Sequence, residues 1–140
     1  MAFTGNFSCN TLRSGLANGS INLTTDTFYL ALYTNNATLD ETTTAYTATG
    51  ESSGGDYTAG GQVVTATVSS EATASGSIVY VSFSSPSWNG QIAARGALIY
   101  KAGANGAVCV LDFGNDKTSN NTFTVTMPAN TSSSALIRLV

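Results

Sequence analysis

Histidine is absent from this chain, and that absence removes most catalytic arrangements. A Ser-His-Asp triad, a Cys-His pair and a His-ligated metal all need the imidazole. Cysteine is scarce: Cys9 and Cys109 are the only two. At that spacing they form no disulfide framework and no structural zinc site, so they read as buried free thiols, although sequence alone leaves a single disulfide open. Charge is equally thin. Asp, Glu, Lys and Arg make up 9% of the chain, against about 25% in an ordinary soluble domain. The basic residues Arg13, Arg95, Lys101, Lys117 and Arg138 are scattered and the net charge is −3, so no patch can neutralise a run of phosphates and no nucleic-acid partner is expected. No apolar run approaches the roughly 18 residues that span a bilayer, so no membrane partner is expected either. The opening Met1-Ala-Phe-Thr-Gly-Asn6 lacks the basic and apolar regions of a secretion signal, so synthesis and folding in a cytoplasm are expected. The Asn-X-Ser/Thr triplets at Asn6, Asn18, Asn22, Asn36, Asn120 and Asn130 then read as chance in a chain rich in Asn and Thr.

Ser, Thr and Asn fill the place of charge. They give a surface that hydrogen-bonds without being strongly charged, as in extracellular β-proteins, adhesins and virion proteins; Thr is also simply a good strand residue. At 140 residues the chain fits one domain, large enough to bury roughly two-thirds of the surface its unfolded form exposes.

The segment Ala94 to Pro128 is the expected spine. Leu98 to Tyr100 and Val108 to Phe113 are apolar on both faces and predict strands covered on both sides. Thr122 to Met127 alternates, with Phe123, Val125 and Met127 opposed to Thr122, Thr124 and Thr126, the period of a half-buried strand. Gly103, Asn105 and Gly106 are expected to supply positive φ angles in the connection, and the three strands together predict a β-meander. Upstream, Cys9, Leu12 and Leu16 share one helical face. Ser8 is the expected N-cap and Asn18-Gly19 the stop, giving one short helix laid on the sheet. Thr27 to Tyr33 predicts a strand with Phe28, Leu30 and Leu32 on one face and Tyr29, Ala31 and Tyr33 on the other.

Thr34 to Gly61 is a long polar loop, a length usually functional or disordered; Tyr46 and Tyr57 argue that it is ordered. Gln62 to Ser69 predicts a strand with Val64, Ala66 and Val68 on one face. Ser70 to Ser77 predicts a turn region, Ile78 to Phe83 a strand, and Ser84 to Gly90 a link. Within that link Trp88 is expected as a core plug rather than a ligand platform. Ala135 to Val140 closes the domain. The expectation is a mainly-β, antiparallel β-sandwich or jelly-roll-like fold with one short N-terminal helix. Residues 1–7, with two Phe in a small polar context, would form an arm or a first strand, and residues 8–140 the single domain.

Among the acids, Asp112 stands out because it lies between Leu111 and Phe113 in an apolar strand. Pairing with Arg95 or Lys117, or hydrogen bonds from the backbone, would satisfy it there. The other acids read as solvated loop residues, so no second carboxylate is at hand for a glycosidase pair. A calcium site from Asp112, Asn115 and Asp116 is allowed by ligand type, but the Gly-Asn-Asp-Lys order is not that of an EF-hand and Lys117 opposes a cation. The glycine runs contain no Gly-Lys-Ser/Thr and are not phosphate loops. No enzyme activity, cofactor or metal is expected.

Several segments, taken in order, resemble a family of small structural proteins of tailed bacteriophages. They are Gly15-Leu-Ala-Asn-Gly19, Thr25-Asp-Thr-Phe28 running into Ala31-Leu-Tyr-Thr34, Thr44-Ala-Tyr-Thr47, and Glu51 followed by Asp56-Tyr-Thr-Ala-Gly-Gly61. Arg95-Gly-Ala-Leu-Ile-Tyr100, then Leu111-Asp-Phe-Gly114 with Asp116-Lys117, complete the set. The family pattern usually has Gly where Asp56 stands. The resemblance implies a virion component, made in the host bacterial cytoplasm. The favoured form is a capsid decoration (cement) protein on the head exterior, a homotrimer bridging neighbouring subunits of the major capsid protein. Phe3 and Phe7 in the arm and Tyr46 and Tyr57 in the long loop would then be contact anchors; alternatively these aromatics complete the domain's own core. The rival reading is a tail, fibre or baseplate module that binds host surface glycans.

Overall fold

A computed structural model describes residue 3, residues 5–74 and residues 76–139. In chain order the elements are β1 (Phe7–Ser8), α1 (Asn10–Asn18), β2 (Phe28–Tyr33), β3 (Gln62–Val64), β4 (Ala66–Thr73) and β5 (Gly76–Phe83). They continue as β6 (Ser87–Asn89), β7 (Ala93–Lys101), β8 (Ala107–Thr118), β9 (Thr122–Thr124) and β10 (Ile137–Leu139). Every strand pairing is antiparallel. The expected class, mainly β and antiparallel with one short helix, is the one that forms.

Strand β2 sets the layers, because its residues are apolar on both faces. It lies inside a five-stranded sheet of order β1-β8-β7-β2-β3. Phe28, Leu30 and Leu32 point to one side and join Ile99 and Leu111 in the larger core. Val81 and Phe83 from a second sheet (β10-β5-β4), Trp88 and Phe123 from the β6-β9 ribbon, and Leu12 from α1 close that core. Ala31 and Tyr33 point to the other side, with Leu98, Tyr100 and Val110, and are covered by Phe3 and by Ala37, Leu39 and Tyr46 of the long loop. A side chain such as Leu30 or Phe28, buried this way, contributes about 1.5–3 kcal/mol. The predicted sorting of β2's faces is therefore correct, and its second face explains why the loop is ordered.

Several local expectations are corrected. Helix α1 begins at Asn10, with Cys9 as N-cap (φ −71°, ψ 150°) and no side-chain cap. Ser8 cannot cap it, since Ser8 belongs to β1 and pairs with Cys109. The helix ends as predicted at Gly19, in the left-handed region with φ 82°. The stretch from Gln62 breaks at Thr65, whose N–H and carbonyl both bond to Ser84, so β3 and β4 go to different sheets. Most of the expected turn from Ser70 to Ser77 is ladder: β4 and β5 pair as far as Thr73 and Gly76, and Ser75 lies outside the described residues. Backbone pairing needs no apolar side chain, so a sheet end exposed on both faces loses the periodicity that marks a strand.

The predicted meander is right for β7 and β8 but not for its third strand. The free side of β8 is taken by β1, Phe7 opposite Val110, and β9 instead pairs with β6, Phe123 opposite Trp88. The link from Ser84 to Gly90 is thus partly strand. In the β7–β8 connection Gly103 and Asn105 have positive φ, of 102° and 59°. Gly106 has another role: a Cβ there would sit 1.9 Å from the Lys101 carbonyl oxygen.

Candidate functional site

The long loop returns to the sheet at Gly50–Ser52. The Thr34 N–H donates to the Gly50 carbonyl at 2.8 Å and the Ser52 N–H to that of Leu32 at 2.9 Å, so Glu51 lies beside Tyr33 as a single antiparallel bridge. This fixes the Glu51 carboxylate over a group of tyrosines. It accepts three hydrogen bonds: Tyr46 Oη–H at 2.6 Å, Tyr57 Oη–H at 2.6 Å and the Gly60 N–H at 2.7 Å. Tyr57 Oη in turn accepts from the Leu32 N–H at 2.9 Å. Tyr100 Oη–H donates to the Gly60 carbonyl at 2.6 Å and Tyr33 Oη–H to that of Thr47 at 2.7 Å. The Tyr46 and Tyr29 rings both stack on Tyr100, with centroids 5.0 Å and 5.6 Å away.

The electrostatics keep these phenols protonated. Burial first, and the adjacent Glu51 carboxylate second, raise Tyr46 from an ordinary 10.0 to about 12. Tyr100 is also pushed up to about 12, by burial and then by its charged and phenolic neighbours. Tyr57 and Tyr33 are driven higher still, burial again being the main cause. A carboxylate whose oxygens are engaged by neutral phenols and a backbone N–H is a clamp. It ties residues 46, 57 and 60 of the loop to the sheet.

A second constellation lies on β7 and β8. Arg95 Nε donates to Asp112 Oδ1 at 3.0 Å, with both side chains about nine-tenths buried (11% and 12% exposed). The same oxygen accepts from the Gly114 N–H at 2.9 Å, and the Asp112 N–H donates to Asn6 Oδ1 at 2.6 Å. Burial raises the Asp112 carboxyl, but the Gly114 and Arg95 hydrogen bonds outweigh it and hold the group below its ordinary 3.8. The pairing register jumps here, from Gly96 opposite Asp112 to Ala94 opposite Lys117. Asn115 and Asp116 lie inside that bulge, and among the described residues no group of three His, Cys, Asp or Glu side chains could hold a metal.

The aromatic anchors proposed from sequence take different places. Phe3 is 1% exposed and packs in the core on the loop side, where a Cβ on Gly96 would collide with its ring. It is therefore not an outward anchor: the glycine opens a slot that buries it. Phe7 is half-buried in β1 against the same core, so the described part of residues 1–7 is built into the domain. Tyr46 and Tyr57 meet at Glu51, and Tyr57 also packs on Trp88, centroids 5.4 Å apart. Trp88 is 4% exposed within the larger core. Cys9 and Cys109 are free and buried; they belong to cores on opposite faces of the sheet.

Glu51 stands among the residues that carry the resemblance, but the residue chemistry gives it no role and groups it with the solvated loop acids. The available signal is indirect: two tyrosines in one loop need partners for their hydroxyls once their rings pack. Comparison with protein-family models, curated proteins and solved structures finds no match to this chain.

Proposed function

We propose that this chain is a structural protein of a bacteriophage virion, and within that class a capsid decoration protein that bridges neighbouring subunits of the major capsid protein on the head exterior. The observation that carries the reading is where the resembling segments converge. Ala31-Leu-Tyr-Thr34, Thr44-Ala-Tyr-Thr47, Glu51, Asp56-Tyr-Thr-Ala-Gly-Gly61 and the end of Arg95–Tyr100 all meet at the Glu51 clamp. Arg95 and Leu111-Asp112 meet again at the neighbouring ion pair. What the resemblance shares is thus a device for holding a loop rigidly on a sheet, which suits a protein that resists deformation. A head filled with DNA pushes outward, and a stiff, weakly charged clamp touching several subunits opposes that with modest affinity per contact. A homotrimer matches the threefold positions such proteins occupy.

Quantitative mass spectrometry of purified particles tests this. The expected result is a copy number of the same order as that of the major capsid protein. A count of about a dozen or fewer, the number typical of a symmetric tail assembly, would overturn the head assignment.

One feature favours the tail reading. A recess of about 370 Å³ is lined by Phe113 and Phe123, together with Thr118, Ser119, Thr122 and Thr124. Aromatic carbon beside hydroxyls is suited to a sugar ring, although Phe123 is itself buried in the core, and binding of the purified protein to host surface glycans would support a tail module.

A further inference from the structure

The side of the molecule where the two sheets end carries an unassigned surface. β1 terminates the five-stranded sheet and β10 terminates the three-stranded one. Residues of both strands line a groove of about 290 Å³. Its apolar lining includes Leu12 and Leu16 of α1, and Leu136, Ile137 and Leu139 at β10. Leu139 is 43% exposed, so apolar surface at this sheet edge is open to solvent. Among the described residues β10 pairs only with β5, so its outer edge presents backbone donors and acceptors beside this apolar surface.

The charge at the groove is opposite in sign to that of the whole chain. Arg13 and Arg138 both line it, two of the five basic residues in a molecule of net charge −3. Arg13 is held by the carbonyl and hydroxyl of Ser8 and by Asn10 Oδ1, and Arg138 by the Ser132 carbonyl. Among the described residues neither forms a salt bridge; the carboxylates within reach of cations serve Arg95 and Lys101. An apolar groove beside an open strand edge, flanked by guanidiniums that form no salt bridge among the described residues, selects one kind of occupant.

We propose that this groove receives an extended segment of another protein, apolar on one side and bearing carboxylates, which adds to β10 as a further strand. Backbone hydrogen bonds to β10 would supply affinity. Side chains alternating into the leucine-lined groove would set register, and the two arginines would read the carboxylates. A second copy paired β10 to β10 is a poorer occupant, because antiparallel pairing of two Ile137–Leu139 strands would set the two Arg138 side chains against each other. The inference goes beyond the capsid assignment; if that assignment holds, a capsid subunit would supply the segment, and the peptide test below does not depend on particle copy number.

Fluorescence anisotropy of the full chain tests it with two labelled peptides of about seven residues, alternating Val and Thr, one flanked by Glu and one by Lys. The expected result is saturable binding of the Glu peptide and binding at least about tenfold weaker for the Lys peptide. Arg138→Glu should narrow or reverse that preference. Leu139→Asp, exposed and at the sheet edge, should weaken the Glu peptide by about tenfold or more. N-methylation of alternate backbone amides should abolish binding if a strand is added. Should Leu139→Asp fail to fold, Arg138→Glu and the N-methyl peptide decide alone. Absence of saturable binding by either peptide, or equal binding of both, overturns the proposal. So does a concentration-dependent dimer that Leu139→Asp abolishes, which would make a second copy the occupant.

Discussion

Replacing Glu51 by alanine removes the acceptor of three hydrogen bonds, from Tyr46, Tyr57 and Gly60. Bonds to a charged acceptor contribute about 1.5–3 kcal/mol each when intact. The full sum does not apply, because Glu51 and Tyr46 are only half-buried and water can reach the freed hydroxyl. Tyr57 Oη also keeps its bond from Leu32. A net cost of about 3 kcal/mol is therefore expected, well inside the 5–15 kcal/mol that holds a typical domain together. At about 4 °C per kcal/mol for a chain of this size, the melting temperature should fall by roughly 12 °C while the protein stays folded. Glu51→Gln should cost about half as much, since one acceptor oxygen remains and the new amide can donate to a phenol oxygen. The damage should be local. Amide exchange should speed up at Thr34, Ser52 and Gly60, whose N–H groups bond at or beside the clamp, and not along β7 and β8. Calorimetry and hydrogen exchange on both variants check this. A fall of less than about 3 °C in Glu51→Ala, with the loop amides still protected, would refute the clamp.

Alkali should release the same loop. Tyr46 and Tyr100 are raised from 10.0 to about 12, so their contribution is complete below about pH 10 and is lost as pH rises towards about 12; tyrosinate absorbance and circular dichroism should change together in that window, and an earlier, non-cooperative titration would contradict it. Asp112 behaves oppositely, because its folded pKa lies below its ordinary 3.8: its stabilisation is complete above 3.8 and is lost as pH falls from there through the folded pKa. Asp112→Asn should cost about 1–3 kcal/mol in urea unfolding at neutral pH and progressively less as the pH is taken further below 3.8, whereas a cost that does not shrink with falling pH would remove the ion pair from the account. Gly61→Ala should destabilise by more than about 3 kcal/mol or abolish soluble expression, since φ is 83° and a Cβ would lie 1.8 Å from the Leu30 carbonyl oxygen. Gly19→Ala, at φ 82° with nothing within 4 Å, should cost only about 1 kcal/mol, and similar losses at both glycines would refute the steric argument.

What could be read from the residues depended on how many faces each segment buries. Strand β2 announced both of its faces because apolar residues stand on each, and α1 announced its end through Asn18-Gly19. The far ends of β4 and β5 were hidden, since a ladder exposed on both faces leaves Ser and Thr where the eye looks for alternation. β9 was legible as a strand but not in its partner, because the alternation of Thr122 to Met127 says which way side chains point and nothing about which edge is vacant. The edge beside β8 was already filled by Phe7 and Ser8, a pairing no local pattern reveals. Asp112 was conspicuous because its neighbours are apolar. Glu51 was not, because Gly50 and Ser52 give no hint that two hydroxyls from elsewhere in the loop converge on it.

The place of β1 has a consequence for how the protein is made. Phe7 lies opposite Val110, the Cys9 N–H bonds to the Val108 carbonyl at 2.8 Å, and Thr11 Oγ1 donates to the Ala107 carbonyl at 2.6 Å. β1 therefore has no strand partner until residues about a hundred positions later have been synthesised. At roughly 5–20 residues per second this is a wait of about 5–20 s. For most of it, from the completion of β2 at Tyr33 until β7 is made, β2 lacks β7, its main neighbour, and its bare apolar edge and faces are open to other nascent chains. Sparse charge does little to keep such intermediates apart, so the interval before β8 emerges is when crowding on one messenger would do most harm. A protein needed in many copies would then gain more from slow initiation, or from a chaperone that shields residues 28–33, than from additional stability in its finished form.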